Sequence, residues 1–121
     1  MRLRQIASQA EIERLLDNVC DIPVIKETND RLRQELFKET LSEFTLESLA
    51  VIVKTVLLRK SARVSLGKKV MASDEKTLAL VGRKLYEEMA FSLNRDVNEV
   101  QQIFEERVKE HSDMDLLELI Q

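Results

Sequence analysis

Apolar side chains recur along this chain at helical spacing, and polar cap residues mark where each recurrence begins. Ser8 is followed three residues later by Glu11, the pattern of a capping box. Ile12, Leu15, Leu16 and Val19 then repeat with a period near 3.6. That first helix is expected to end at "CDIP", where Pro23 removes a backbone donor. A second helix is predicted to start near Thr28 or Asn29, burying Leu32, Leu36, Phe37 and Leu41. Thr45 opens a third, long helix with Leu49, Val53, Val56 and Leu57 as its core stripe, and Gly67 as its stop. Ser73 is read as the cap of a fourth, with Asp74 and Glu75 in the first turn, where acids suit the helix dipole. Its core positions are Leu78, Val81, Leu85 and Met89, flanked by Leu80, Tyr86 and Phe91. Gly82 in mid-helix is expected to permit a close approach by a neighbouring helix. Asp96 with Glu99 is expected to cap a fifth helix, burying Val97, Val100, Ile103, Phe104 and Val108. The tail "SDMDLLELIQ" has room for another turn or two.

No strand hairpin, linker or repeat interrupts this pattern. With only Gly 2 and Pro 1, the chain lacks the turn-formers that sandwiches and barrels need. The expectation is an all-α, compact bundle of five or six short helices, with residues 1–121 as one domain. The greasiest run, Leu49–Leu58, is interrupted by Lys54 and is about half of what spans a bilayer. A single cysteine, Cys20, forms no internal disulfide, and "MRLRQIASQA" carries no apolar signal core. A cytoplasmic protein with no membrane partner is expected.

Catalytic constellations are missing from the pattern. The one histidine, His111, sits in a polar context, and a lone histidine makes no metal site. Cys20 has no histidine nearby in sequence and reads as a small buried hydrophobe. Carboxylates in "YEEMA" and "FEERVKE" have the spacing of solvated, paired helix faces. "LGKK" lacks the rest of a phosphate-binding loop. The expectation is a non-enzyme without cofactor, metal or small-molecule substrate.

Charge is where the sequence departs from the ordinary. The chain is acidic, with 19 Lys+Arg against 22 Asp+Glu. Yet no acid occurs between Glu47 and Asp74, a stretch holding Lys54, Arg59, Lys60, Arg63, Lys68 and Lys69. Cations near a helix C-terminus stabilise its carbonyl end, which would account for part of this run. The other reading is a phosphate-contacting patch. Arg59 and Arg63 lie one turn apart, Lys60 is adjacent, Lys68 and Lys69 follow in the loop, and Lys76 joins from the next helix. Trp is absent and the aromatics fall mostly at core spacing, so a single-strand stacking platform is not expected.

The order of segments in "VIVKTVLLRKSARVSLGKKVMASDEKTLALVGRKLYEEMAFSLNRDVNEVQQIF" resembles the C-terminal helical domain of the CarD-like bacterial transcription regulators. A long helix ends in basic residues. A loop and an Ala72-Ser73-Asp74-Glu75-Lys76 helix start follow, and then a run from Tyr86 to Leu93 precedes an acid-capped final helix. Upstream, "SQAEIERLL" and "IPVIKETNDRLRQELFKETL" look like that family's first two helices.

The resemblance implies contact with promoter DNA at the upstream edge of the transcription bubble, through phosphates and an apolar wedge. It implies RNA polymerase as a partner, gripped by a β domain that this chain lacks. By position it assigns phosphate contacts to Arg33, with Arg31 beside it, and to Lys76. Its wedge is a tryptophan; here Val24 or Thr28 stands in that place, and Asp30 falls where a basic residue is expected. Both departures weaken the expected DNA contact. The competing expectation is a helical protein–protein interaction module, using an acidic face or the stripe of Leu116, Leu117 and Ile120.

Overall fold

The caps and stripes become helices in a computed structural model that describes residues 6–110 and 116–120. Helix α1 (Gln9–Asp17) begins with the expected capping box: Ser8 Oγ accepts from Glu11 N–H, and the Glu11 side chain reaches back to Ser8. It gives way at Asn18 to a 3₁₀ turn (Val19–Asp21), so the α-helical part stops before Pro23. Helix α2 (Asp30–Leu41) is capped by Asn29, whose side chain accepts from Leu32 N–H at 3.0 Å. Helix α3 (Leu46–Ser65) starts at Thr45, which exchanges hydrogen bonds with Ser48.

Helix α3 closes as the glycine signal predicts. Gly67 has φ +73°. Lys68 N–H bonds Arg63 O at 2.9 Å and Gly67 N–H bonds Val64 O at 3.0 Å, the paired bonds of a Schellman ending. Helix α4 (Ala72–Thr77), a π-helical stretch (Leu78–Gly82) and α5 (Arg83–Leu93) then run on as one rod. That rod ends at Asn94, in the left-handed region at φ 53°. Helix α6 (Val97–Glu110) follows, with Asp96 Oδ1 accepting from Asn98 N–H at 2.8 Å. A 3₁₀ turn (Leu116–Leu119) completes the description, and no strand occurs among the described residues.

Helix α3 is the centre of the molecule. Leu49, Ala50, Ile52, Val53, Val56, Leu58 and Ala62 are all buried, so it is apolar nearly all round, as a core helix must be. It is touched by α2, α4, the π stretch, α5, α6 and the C-terminal turn. Val19, Leu85, Met89, Val100 and Phe104 pack into the same core, with the Tyr86 and Phe104 rings edge to face at 6.0 Å. Arg107 fastens α6 to the end of α1 by donating to Leu16 O at 2.9 Å. Ser92 Oγ donates to Ala7 O at 2.6 Å, and Glu88 accepts from Ala7 N–H at 3.1 Å, fixing Ala7 on α5 just ahead of α1.

Five expectations change. On α2 the core side carries Arg33 and Phe37, while Leu32 (47% exposed) and Leu36 (38%) face outward. Ser73 lies inside the first turn of α4; the cap position is Met71, which supplies no side-chain bond. Cys20 is exposed, not a buried hydrophobe. Leu80, Phe91 and Val97 are exposed, Phe91 at 76%.

Gly82, finally, is not a site of close helix approach. A Cβ there would meet only the edge of the Tyr86 ring, at 3.5 Å, and its backbone is helical at φ −60°, ψ −42°. Gly82→Ala is therefore expected to stabilise the protein by up to about 1 kcal/mol through reduced unfolded-chain freedom. Urea unfolding checks this; a loss of stability would mean the π stretch requires glycine.

Candidate nucleic-acid interface

The basic run divides into cations that build the fold and cations that face water. Lys54 is 5% exposed and lies on the core face of α3. Its Nζ donates to the carbonyls of Val19 at 2.8 Å, Cys20 at 3.3 Å and Ile22 at 2.8 Å. One ammonium thus gathers the carbonyl groups of the turn that ends α1, adding a donor to Val19 O, which also accepts from Ile22 N–H at 3.1 Å, and supplying one to the buried Ile22 carbonyl. Burial pushes the Lys54 pKa down, and the neighbouring Cys20 and Asp21 oppose that shift.

Arg59 is 2% exposed and Asp74 is fully buried. Arg59 Nε lies 3.1 Å from Asp74 Oδ2, Nη1 donates to Leu119 O at 2.5 Å, and Nη2 is 3.2 Å from Met71 Sδ. The pair joins three parts of the chain: α3, the start of α4 and the C-terminal turn. Asp74 therefore serves as a buried counter-ion, more than as a dipole-stabilising acid. Arg33 is 1% exposed. It pairs with Asp30 and donates through Nη1 to the carbonyls of Glu27 and Thr28, each at 3.4 Å. Desolvation and the nearby Arg59 charge lower its pKa, while Asp74 and Asp30 raise it.

Arg33 and Arg59 are thus withdrawn from the predicted phosphate contacts: both guanidinium groups are buried and engaged inside the protein. Asp30, which looked like an unfavourable change, is the partner of Arg33. The proposed wedge positions fare no better. Val24 is half-buried against the core, and Thr28, though exposed, is a short polar side chain. Of the tail stripe, Ile120 is partly buried against the core, beside the buried Leu119. The side chains of Leu116 and Leu117, and all of His111, lie outside the described residues.

What remains at the surface is a smaller set. Lys60, Lys68, Lys69 and Lys76 are exposed and form no ion pair with a described residue. Arg63 is half-buried and donates Nε to Lys69 O at 2.7 Å, holding the α3–α4 loop against the end of α3. That loop bond positions Lys68 and Lys69 beside the end of the helix. Arginines elsewhere on the surface behave differently: Arg83 pairs with Glu87 and Arg95 with Glu99, both at 2.7 Å. Arg31 is highly exposed and lies 3.8 Å from Glu35. The end of α3 and the loop after it thus present cations in a segment free of acids, whereas the exposed, unpaired Lys38, Lys84 and Lys109 of α2, α5 and α6 sit among carboxylates of their own helices.

Sequence reasoning missed a second feature beside Lys60, the buried hydroxyl of Tyr86. Its oxygen has no hydrogen-bond partner among the described residues. Desolvation, helped by the Glu105 charge, raises the phenol pKa well above its ordinary value near 10. A raised folded-state value means stability is fully present below about pH 10 and is lost as the pH climbs, because the unfolded chain releases that proton first. Lys54, with a lowered value, contributes the opposite slope just below its own ordinary value. Tyr86→Phe removes only the first effect and also an unpartnered buried hydroxyl. Urea unfolding between about pH 9 and about pH 11 should find the variant at least as stable as the parent, with an advantage that grows with pH. A shrinking advantage would contradict the burial argument.

Among the described residues, no helix is long and apolar enough to cross a membrane, and no group of three His, Cys, Asp or Glu could hold a metal. Comparison with protein-family models, curated proteins and solved structures finds no match to this chain.

Proposed function

We propose that this is a non-enzymatic, nucleic-acid-contacting helical domain that grips duplex DNA by its phosphates. The observation that carries the reading is the segregation of cations. Lys60, Lys68 and Lys69 stand exposed without a carboxylate partner among the described residues, in a segment that has no acid from Ser48 to Ser73, and the likewise unpaired Lys76 follows just beyond Asp74 and Glu75. Such a cluster gives affinity through counterion release, even on an acidic protein, because release depends on local contacts. It positions a duplex without reading its sequence. The resemblance to the helical domain of CarD-like regulators supports the same reading, with promoter DNA as the target and RNA polymerase as the tethering partner. Phosphate contact then rests on the α3 end, the loop and Lys76, and not on Arg33 or Arg59.

The test is a ¹⁵N amide titration of the 121-residue chain with a promoter-like duplex at low salt. Shifts should concentrate at residues 60–69 and around Lys76. Shifts centred instead on the exposed Leu32 and Leu36 face of α2, or none at all, would remove the reading. Binding of a protein at that α2 face would be the rival function, a helical interaction module.

A further inference from the structure

Helix α3 joins two regions of opposite charge. Residues 11–47 hold ten acids against five bases, whereas residues 48–73 hold six bases and no acid. At the N-terminal end of α3 a cleft of about 230 Å³ lies between the turn that ends α1 and the first turns of α3. Leu15, Ile22, Pro23 and Val51 form its walls, and Asp21 and Glu47 also line it. The volume is below the range of small-molecule sites and suits one or two protein side chains. Both acids are exposed and form no ion pair with a described residue. Lys54, buried against the Ile22 carbonyl, offsets part of the Asp21 charge. Glu43, exposed and likewise unpaired in the turn before α3, adds a third acid at this end. The cleft is apolar inside and negative at its edge.

The C-terminal end of α3 presents the complement. Leu66 is 46% exposed and Val64 58%, and the exposed Lys68 and Lys69 follow. The turn that carries them is fixed in place. Gly67 takes the left-handed conformation, Lys68 N–H bonds Arg63 O, and Arg63 Nε donates to Lys69 O. It is a preformed knob, so docking it costs little ordering entropy. The 20 residues of α3 hold knob and cleft roughly 30 Å apart. One copy therefore cannot fill its own cleft with its own knob.

We propose that copies of this chain associate head to tail, the Leu66–Lys69 knob of one entering the acid-edged cleft of the next. Leu66 supplies the apolar contact, and Lys68 and Lys69 meet Asp21 and Glu47. Knob and cleft are different surfaces, so the contact is heterologous, and each added copy leaves one knob and one cleft free. The contact is small, so association is weak and is weakened further by salt. The proposal does not require the nucleic-acid reading. Lys68 and Lys69 belong to both, however, so a bound duplex competes with assembly.

Sedimentation velocity of the full chain, at high concentration and low salt, tests it. The mean mass should rise with concentration past two copies and fall when salt is added. Glu47→Lys and Lys68→Ala/Lys69→Ala should each weaken association roughly tenfold, with unchanged circular dichroism. One variant keeps a working knob and the other a working cleft, so their equimolar mixture should form pairs and grow no further. Concentration-dependent ¹⁵N amide shifts should fall at residues 21–23, 47–51 and 66–69.

A parent that stays a single copy at low salt would overturn the proposal. So would shifts centred on Leu32 and Leu36, the sign of a two-fold pairing through α2, or association untouched by both variants. A single-copy parent whose cleft amides respond to an added lysine- and leucine-rich peptide would give the cleft to a foreign basic partner and also overturn it. If assembly forms and a duplex fails to disperse it, the phosphate reading loses Lys68 and Lys69 while assembly stands. If a duplex binds a chain that never assembles, only assembly fails.

Discussion

Asp74→Ala is expected to destabilise the protein by about 3–5 kcal/mol, because it strands the Arg59 guanidinium as an uncompensated buried charge. Arg59 would keep its bonds to Leu119 O and Met71 Sδ, but neither neutralises it. Arg33 is close enough for its charge to be felt, so repulsion between the two guanidinium groups would also go unanswered. For a domain of this size the melting temperature should fall by roughly 10–20 °C. The damage should extend to the C-terminal turn, which is tied to α3 through Arg59. The double variant Arg59→Met/Asp74→Leu should recover most of the loss, since two packed apolar side chains replace a pair that gave up its hydration. Thermal unfolding by circular dichroism measures both. An Asp74→Ala protein as stable as the parent would mean the pair is dispensable, and the burial of Arg59 would need another cause.

Lys54→Met is the second large effect. It conserves much of the aliphatic stem and removes the ammonium, taking its donor from the carbonyls of Cys20 and Ile22 and leaving Val19 O with the Ile22 N–H alone. Hydrogen bonds from a charged donor contribute about 1.5–3 kcal/mol, and unpaired buried carbonyls add their own cost. Relief of the lysine's desolvation offsets part of this. The expected net loss is about 2–3 kcal/mol. Hydrogen exchange should speed up first around residues 18–25, where the turn leans on Lys54 and where Ile25 N–H bonds Thr55 Oγ1 at 3.1 Å. Unchanged exchange there would show that the turn is held by its packing alone.

These two residues also mark the boundary of what the sequence made legible. The helix starts at Ser8, Asn29 and Thr45 are local: each cap bonds a backbone group three residues away, so spacing along the chain is enough to find it. Gly67 and the Schellman ending are local in the same way. The all-α bundle follows from these signals together with the apolar stripes.

The cations are different, because their partners are remote. Arg59 meets Asp74 across 15 residues and Leu119 across 60, while Lys54 meets its carbonyls across 32 to 35. A basic run looks uniform until the helix rotation is known. One signal was available: Arg59 continues the stripe of Ile52 and Val56, and Arg33 lies four residues before Phe37, so both shared a face with buried positions. Read that way, two of the predicted phosphate contacts, Arg33 and Arg59, would have been assigned to the core. Leu32 and Leu36 misled for the complementary reason, since leucines at helical spacing do not fix which side of a helix faces inward. The Tyr86 hydroxyl gave no sequence signal, because an unpartnered oxygen is a property of packing.

The central claim is that the exposed lysines at the end of α3, in its following loop and at Lys76 grip phosphates, while Arg33, Lys54 and Arg59 hold the fold. Its most direct test is the salt dependence of duplex binding, followed by fluorescence anisotropy for the parent and for a Lys60→Ala/Lys68→Ala/Lys69→Ala/Lys76→Ala variant. The account predicts a folded variant of parental stability, weaker binding, and a log–log salt slope shallower by about 0.9 for each phosphate contact removed. A variant that binds with the parent's affinity and the parent's slope would contradict it.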